Sequence, residues 1–151
     1  MGNEELILKL KEAFPDMECV QGNDWPELSF GSDRLIEVIT YLKQTPELAF
    51  DYLFCETCVD WKTHFNMVYH LDSTCFRHNV VLKAKTDRDK PEIASLAHVY
   101  RTAEQHEREI FDLFGIVFIG HPNLKRIMLT EEWVGYPLRK DYEDPINIIK
   151  L

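Results

Sequence analysis

No apolar run in this chain of 151 residues approaches the roughly 18 that a membrane-spanning helix requires. Basic charge is also scarce: 17 lysines and arginines face 26 aspartates and glutamates, for a formal net charge of -9. That balance argues against nucleic acid or an anionic lipid surface as the partner. Glycine is sparse, at six residues. There is no glycine-rich phosphate loop, no GxGxxG and no GxSxG elbow, so no motif marks a flavin, nicotinamide or acyl-transfer site. Internal repeats and low-complexity tracts are absent. The opening stretch MGNEELILKLKEAF is acidic and amphipathic, which is not a signal-peptide pattern. A cytosolic, reducing location is expected, with the four cysteines as thiols.

The residues that are present describe one globular domain. Hydrophobic residues make up 45% and charged residues 28%, which suits a folded domain with a real core. Leu6, Ile7, Leu10, Ala13 and Phe14 form the apolar face of a first helix that Asn3 can cap. Leu35, Ile36, Ile39 and Leu42 do the same for a second, capped at Ser32 or Asp33 and stopped at Thr45–Pro46. Glu27–Phe30 reads as a strand. Three longer extended segments come next: 50–61, where Phe50, Tyr52 and Phe54 alternate; 65–71; and 80–85. They predict an antiparallel meander. Helices on either side of such a sheet give an α+β fold, a two-layer sandwich of a mostly antiparallel sheet with about three helices.

The stretch 107–141 organises the rest. Leu96, Val99, Tyr100, Ala103, Ile110, Phe111 and Phe114 recur at helical spacing, predicting a long helix from about Ser95. Gly115 is a ready left-handed cap. Ile116, Phe118 and Gly120 then face one way, Val117 and Ile119 the other. Glu107 falls on the apolar face of the helix. A buried carboxylate needs a partner, and Arg126, Arg139 and Lys140 are the expected cations, so that Glu107 fixes the path of the tail. The pairs Glu104–Arg108 and Arg108–Asp112 stand four apart on the same helix. Residues 121–151 lack regular pattern yet carry Leu124, Ile127, Met128, Leu129, Trp133, Tyr136 and Leu138, too apolar for a solvated tail. The expected organisation is an α+β domain over 1–120 and an extended C-terminal arm of the same domain over 121–151. The arm's beginning packs at home, and 141–151 docks on a partner.

Two other chemistries have weaker support. Glu107 and Glu109 diverge on a helix, which argues against a carboxylate-pair enzyme. Cys55-Glu56-Thr57-Cys58 is a CxxC, with Cys19 and Cys75 as possible further thiolates for zinc or an iron–sulfur cluster. There is no second CxxC, and the segment reads as a strand, where residues three apart face opposite ways. His121, before Pro122, can order a turn or an interface.

Three blocks carry a resemblance: EREIFDLFGI (Glu107 to Ile116), GHPNLKRI (Gly120 to Ile127) and WVGYPLRKDY (Trp133 to Tyr142). In this order and spacing they resemble the 30 kDa-type C subunit of respiratory complex I, proton-pumping NADH-quinone oxidoreductase. Tyr100–Arg101 and His106 depart from the family pattern on the helix approach. The resemblance implies a subunit of the enzyme with no catalytic residues, metal or cofactor in this chain. FMN, iron–sulfur clusters and quinone belong elsewhere in the complex. It implies docking beside the large quinone-site D subunit and the iron–sulfur B and I subunits, peripherally, on the cytoplasmic face of the inner membrane. Glu107, Arg108, Glu109, Asp112, Gly120, His121, Pro122, Arg126, Trp133, Pro137, Leu138, Arg139, Lys140 and Asp141 become the structural or docking residues. The alternatives are the matching subunit of a membrane-bound hydrogenase or formate hydrogenlyase, and a free-standing cysteine-ligated metalloprotein.

Overall fold

A computed structural model describes residues 1–146. Helix α1 (Asn3–Ala13) leads into strands β1 (Glu18–Gln21) and β2 (Pro26–Gly31). A 3-10 turn (Ser32–Arg34) precedes α2 (Leu35–Gln44). The meander β3 (Tyr52–Asp60), β4 (His64–Asp72) and β5 (Asn79–Asp87) comes next, then β6 (Glu92–Ala94), α3 (Ala103–Phe114) and β7 (Val117–Ile119). The main sheet runs β1-β2-β5-β4-β3, and β6 pairs with β7 in a separate two-stranded sheet. β2–β5 is parallel, while the other three pairings of the main sheet are antiparallel. The fold is therefore the expected α+β sandwich, with three α-helices among the described residues. Among the described residues no helix is long and apolar enough to cross a membrane.

The core lies between the helices and one face of the sheet. Leu28 and Phe30 of β2, Phe65, Met67, Tyr69 and Leu71 of β4, and Val80, Leu82 and Ala84 of β5 are buried there with Leu6, Leu10, Ile39 and Ile110. The opposite face carries Glu27, Ser29, Asn66, His70, Lys83 and Lys85, as the two-residue period of a strand requires.

Several expectations are corrected. Asn3 does not cap α1; Gly2 holds that position, and the Asn3 amide donates to the Asp24 carbonyl at 3.0 Å. Ser32 and Asp33 make no side-chain cap for α2. Helix α3 begins at Ala103, not near Ser95. Segment 95–102 instead leaves β6 through turns, with Leu96 and Tyr100 buried. Three- and four-residue apolar spacing fits consecutive turns as well as a helix, so periodicity alone could not separate them. Gly115 does take the left-handed cap, φ 75°, and its N–H reaches the Phe111 carbonyl.

The parity of β3 decides which acids reach the core side. Tyr52 and Phe54 do not form its core face: Leu53 does, and the register jumps between Leu53 and Cys55 against Leu71 and His70 of β4. Phe54 is thus an extra residue, a β-bulge. Beyond it the inward positions shift by one, so Glu56, Cys58 and Asp60 are buried. The bulge turns two acidic residues inward.

Candidate functional site

Three acidic side chains at the seam between α3, β3 and the arm are each buried, and each holds a piece of irregular chain. Glu107 is wholly enclosed. Its Oε2 accepts from the Ser95 hydroxyl at 2.5 Å and its Oε1 from the Leu96 N–H at 2.6 Å. Burial pushes its carboxyl up, to about 7, against the pull of those two hydrogen bonds. His121 Nε2 lies 3.9 Å from the same carboxylate. That nitrogen donates to the Glu104 carbonyl at 3.0 Å, and Nδ1 accepts the Asn123 N–H. The expected cation from Arg126, Arg139 or Lys140 is therefore not the partner of Glu107. A hydroxyl and a backbone amide fill that role, because the turn at 95–97 folds back over the helix.

The tail's arginine goes one turn further along α3. Asp112, also fully buried, accepts three successive backbone N–H groups on Oδ2: Ile127 at 3.1 Å, Met128 at 2.7 Å and Leu129 at 3.0 Å. Arg126 Nη1 donates to Oδ1 at 3.1 Å, and its Nη2 reaches the Gly135 carbonyl at 3.2 Å. A carboxylate in a nest of consecutive amides is strongly stabilised in its charged form. Burial pushes the Asp112 carboxyl up, but these donors and Arg126 outweigh it and hold it below the usual range. Arg108 does not pair along the helix as its spacing suggests. It donates to the carbonyls of Lys125 and Arg126, adding a clasp on the same loop.

Asp60, at the end of β3, is the third holder. Oδ1 takes the Lys62 N–H at 2.7 Å and the Arg88 guanidinium; Oδ2 takes the Lys140 N–H at 2.9 Å. Burial raises its carboxyl, and the Lys140, Arg88 and Lys62 contacts bring it below the ordinary value. Arg88 extends the pairing to Asp141 at 2.9 Å. Between these anchors, Leu138 N–H meets the Leu113 carbonyl and Arg139 Nε the Phe114 carbonyl at 2.6 Å. The Arg139 guanidinium also lies over Phe65 and Tyr136. Asp60→Asn should loosen the 138–142 end of the arm and lower stability by about 2–3 kcal/mol, because a nearly buried arginine loses its buried countercharge and keeps only the exposed Asp141. A shifted urea midpoint with an unchanged slope would register it.

The remaining predicted residues fall into place around these anchors. Gly120 has φ 85° and accepts from His98 Nε2. Pro122 is exposed and Pro137 half-buried. Trp133 hides its indole Nε1 without a partner. Glu109 is half-exposed. Lys140 Nζ lies 5.8 Å above the Trp61 ring. Ile127, Met128, Val134, Leu138 and Ile146 leave apolar surface on the arm. The expected docking run 141–151 is described only to Ile146, and the rest lies outside the described residues. Sequence reading missed Glu56 and Asp60, although the inward parity of a bulged β3 would have found both.

The three carboxylates are closed off by their own chain, and Glu107 lines none of the open grooves beside Lys83, Trp25, Tyr142 or Ile93. Among the described residues no three of His, Cys, Asp and Glu come together as metal ligands would. Cys58 is buried, which pushes its thiol up to about 12, while Cys75 is exposed. The metalloprotein reading therefore has no site among them.

Fold and site together define an α+β domain whose buried carboxylates clasp its own C-terminal arm. The chain belongs to the family of the respiratory-chain NADH dehydrogenase 30 Kd subunit, which matches residues 28–145, body and arm alike. It is 40% identical over 141 residues to the NADH-quinone oxidoreductase C subunit of Moorella thermoacetica, covering 92% of this chain and 94% of that one. It is also 40% identical over 122 residues to the NADH-quinone oxidoreductase C/D subunit of Phocaeicola vulgatus. There the match takes 80% of this chain but 23% of the longer relative. Among solved structures, a chain of the membrane-bound sulfane sulfur reductase, an archaeal respiratory membrane complex, superposes with a TM-score of 0.72 at 26% identity, covering 93% of this chain and 85% of that one.

Proposed function

We propose that this chain is a non-redox structural subunit of the peripheral arm of a proton-pumping NADH-quinone oxidoreductase. In this role it takes part in assembly and holds the quinone-site and iron–sulfur subunits. The observation that carries the reading is the arm. Its backbone is fixed by Asp112 and Asp60, yet it turns Met128, Val134, Leu138 and Ile146 to solvent. Ordered backbone under exposed apolar side chains is the condition for a preorganised interface. The large quinone-site D subunit is the first expected partner, supported by the relative in which C and D share one chain; the B and I subunits are the others. FMN, the clusters and quinone are assigned elsewhere in the complex. The location is peripheral, on the cytoplasmic face of the inner membrane.

A second reading is the equivalent subunit of a related membrane-bound hydrogenase or formate hydrogenlyase; the sulfane sulfur reductase chain supports it only in that the same fold serves another respiratory membrane complex. Purification from native membranes in mild detergent, with the full chain as bait, decides. Co-elution with an iron-containing assembly that reduces quinone from NADH is expected. A hydrogen-oxidising or formate-linked assembly would favour the second reading, and recovery of the chain alone would overturn both.

A further inference from the structure

Of the buried acids around α3, Glu56 alone holds nothing. It is 4% exposed, and neither carboxyl oxygen has a hydrogen-bond partner. Its register partner across the β3–β4 ladder is Tyr69, whose hydroxyl is likewise buried and without a partner. Cys58 lies two residues on along the same inward row of β3. Helix α3 packs on β3 and buries Glu107 in the same seam, where its charge opposes ionisation of Glu56. The surroundings supply little compensation. His98 from the 95–102 turns acts on Glu107, Arg139 from the arm on Cys58, and Glu109 of α3 on Cys55. Ser95 and Leu96 are already bonded to Glu107, and His121 bonds the Glu104 carbonyl. No cation pairs with Glu56 among the described residues.

A lone ionised carboxylate in an apolar interior is costly, and two facing carboxylates that are both ionised cost more. We propose that Glu56 and Glu107 form one proton-binding site. Glu56 is kept as a neutral acid in the α3–β3 seam, and its proton is what allows the neighbouring Glu107 carboxylate to keep its charge and its hold on Ser95 and Leu96. The ligand of the site is a proton, and the bulge at Phe54 creates it by turning Glu56 inward. Burial first, and the Glu107 charge second, raise the Glu56 carboxyl well above its ordinary range, and the Tyr69 hydroxyl is raised with it. For an acid raised in the folded state, the folded chain holds protons that the unfolded chain has released. Stability from the Glu56 proton is therefore fullest below the unfolded value of about 4.3 and declines as pH rises through the raised folded value.

The test uses the full chain and its Glu56→Gln variant. Near pH 6, unfolding of the wild type should release about one proton more than unfolding of the variant, read from the slope of melting temperature against pH. The variant's curve should be flatter and cross above the wild type on the alkaline side. Infrared spectra at neutral pH should show a protonated-carboxyl C=O stretch in the wild type that Glu56→Gln removes. Glu107→Gln is the second variant. It removes the neighbouring charge that helps Glu56 keep its proton, so the remaining Glu56 band should be lost at lower pH than in the wild type. Parallel melting curves, or a wild type without the band at neutral pH, overturn the proposal.

Discussion

Asp112→Asn is expected to release residues 126–135 from the body while leaving the sheet and helices folded. The change is nearly isosteric, so no cavity opens. The loss is that of a charge which three backbone N–H groups and Arg126 all address. An amide in that place can accept through one atom only, so its NH2 meets either the three amide donors or the Arg126 guanidinium head-on. Breaking one partner out of a buried charged set costs about 3–5 kcal/mol, a large share of the roughly 5–15 kcal/mol that holds a domain together. Trypsin should then cut after Lys125 and Arg126, whose carbonyls Arg108 now holds, while the wild type resists at the same protease dose. Equal digestion of the two proteins would contradict the anchoring role. The same carboxylate sets an acid limit. Its folded value is depressed, so its stabilisation is complete above the unfolded value of about 3.9 and is lost as pH falls through the lower folded one. Pepsin should therefore open the wild-type arm only below about pH 4. In Asp112→Asn the arm should be open at every pH tested.

The second large effect is expected from Gly115→Ala. Gly115 has φ 75°, and a Cβ there would lie 2.6 Å from the Tyr136 ring and 2.8 Å from Arg139 Nη2. The backbone alone disfavours alanine by about 1–2 kcal/mol in a left-handed conformation. Displacing a packed ring adds about 1–3 kcal/mol. The arm is the movable party, so Tyr136 and Arg139 should lift away, taking with them the Arg139 bond to the Phe114 carbonyl. A lower melting temperature, together with new tryptic cleavage after Arg139, is the expected result. An unchanged cleavage pattern would show that the helix end yields instead.

How much of this was written in the sequence differs by element. Helix α2 and the end of α3 are legible because their signals are local: apolar spacing, Thr45–Pro46, and a glycine after Phe114. The meander is legible from alternation. The β2–β5 parallel pairing is not, since it joins residues more than fifty positions apart and no short-range pattern encodes it. The inward turn of Glu56 depends on one inserted residue in β3, which reverses parity in a run where both parities are partly apolar. Glu107 was readable as a buried acid. Its partners were not, because Ser95 and Leu96 come within reach only once the segment read as helix breaks into turns. Asp112 looked like one member of a surface ion pair. A carboxylate's preference for consecutive amides becomes visible only when a loop supplies them.

The order of these contacts along the chain bears on biosynthesis. Asp60 and Asp112 both precede the segments they receive, and Arg88 precedes Asp141. On a ribosome delivering about 5–20 residues per second, the sheet and its receptor carboxylates are complete before the arm emerges. The arm can then zip onto a finished template from Arg126 toward Lys140. In a longer polypeptide such as the C/D relative, any segment beyond the arm would start its own folding from a point already fixed in space.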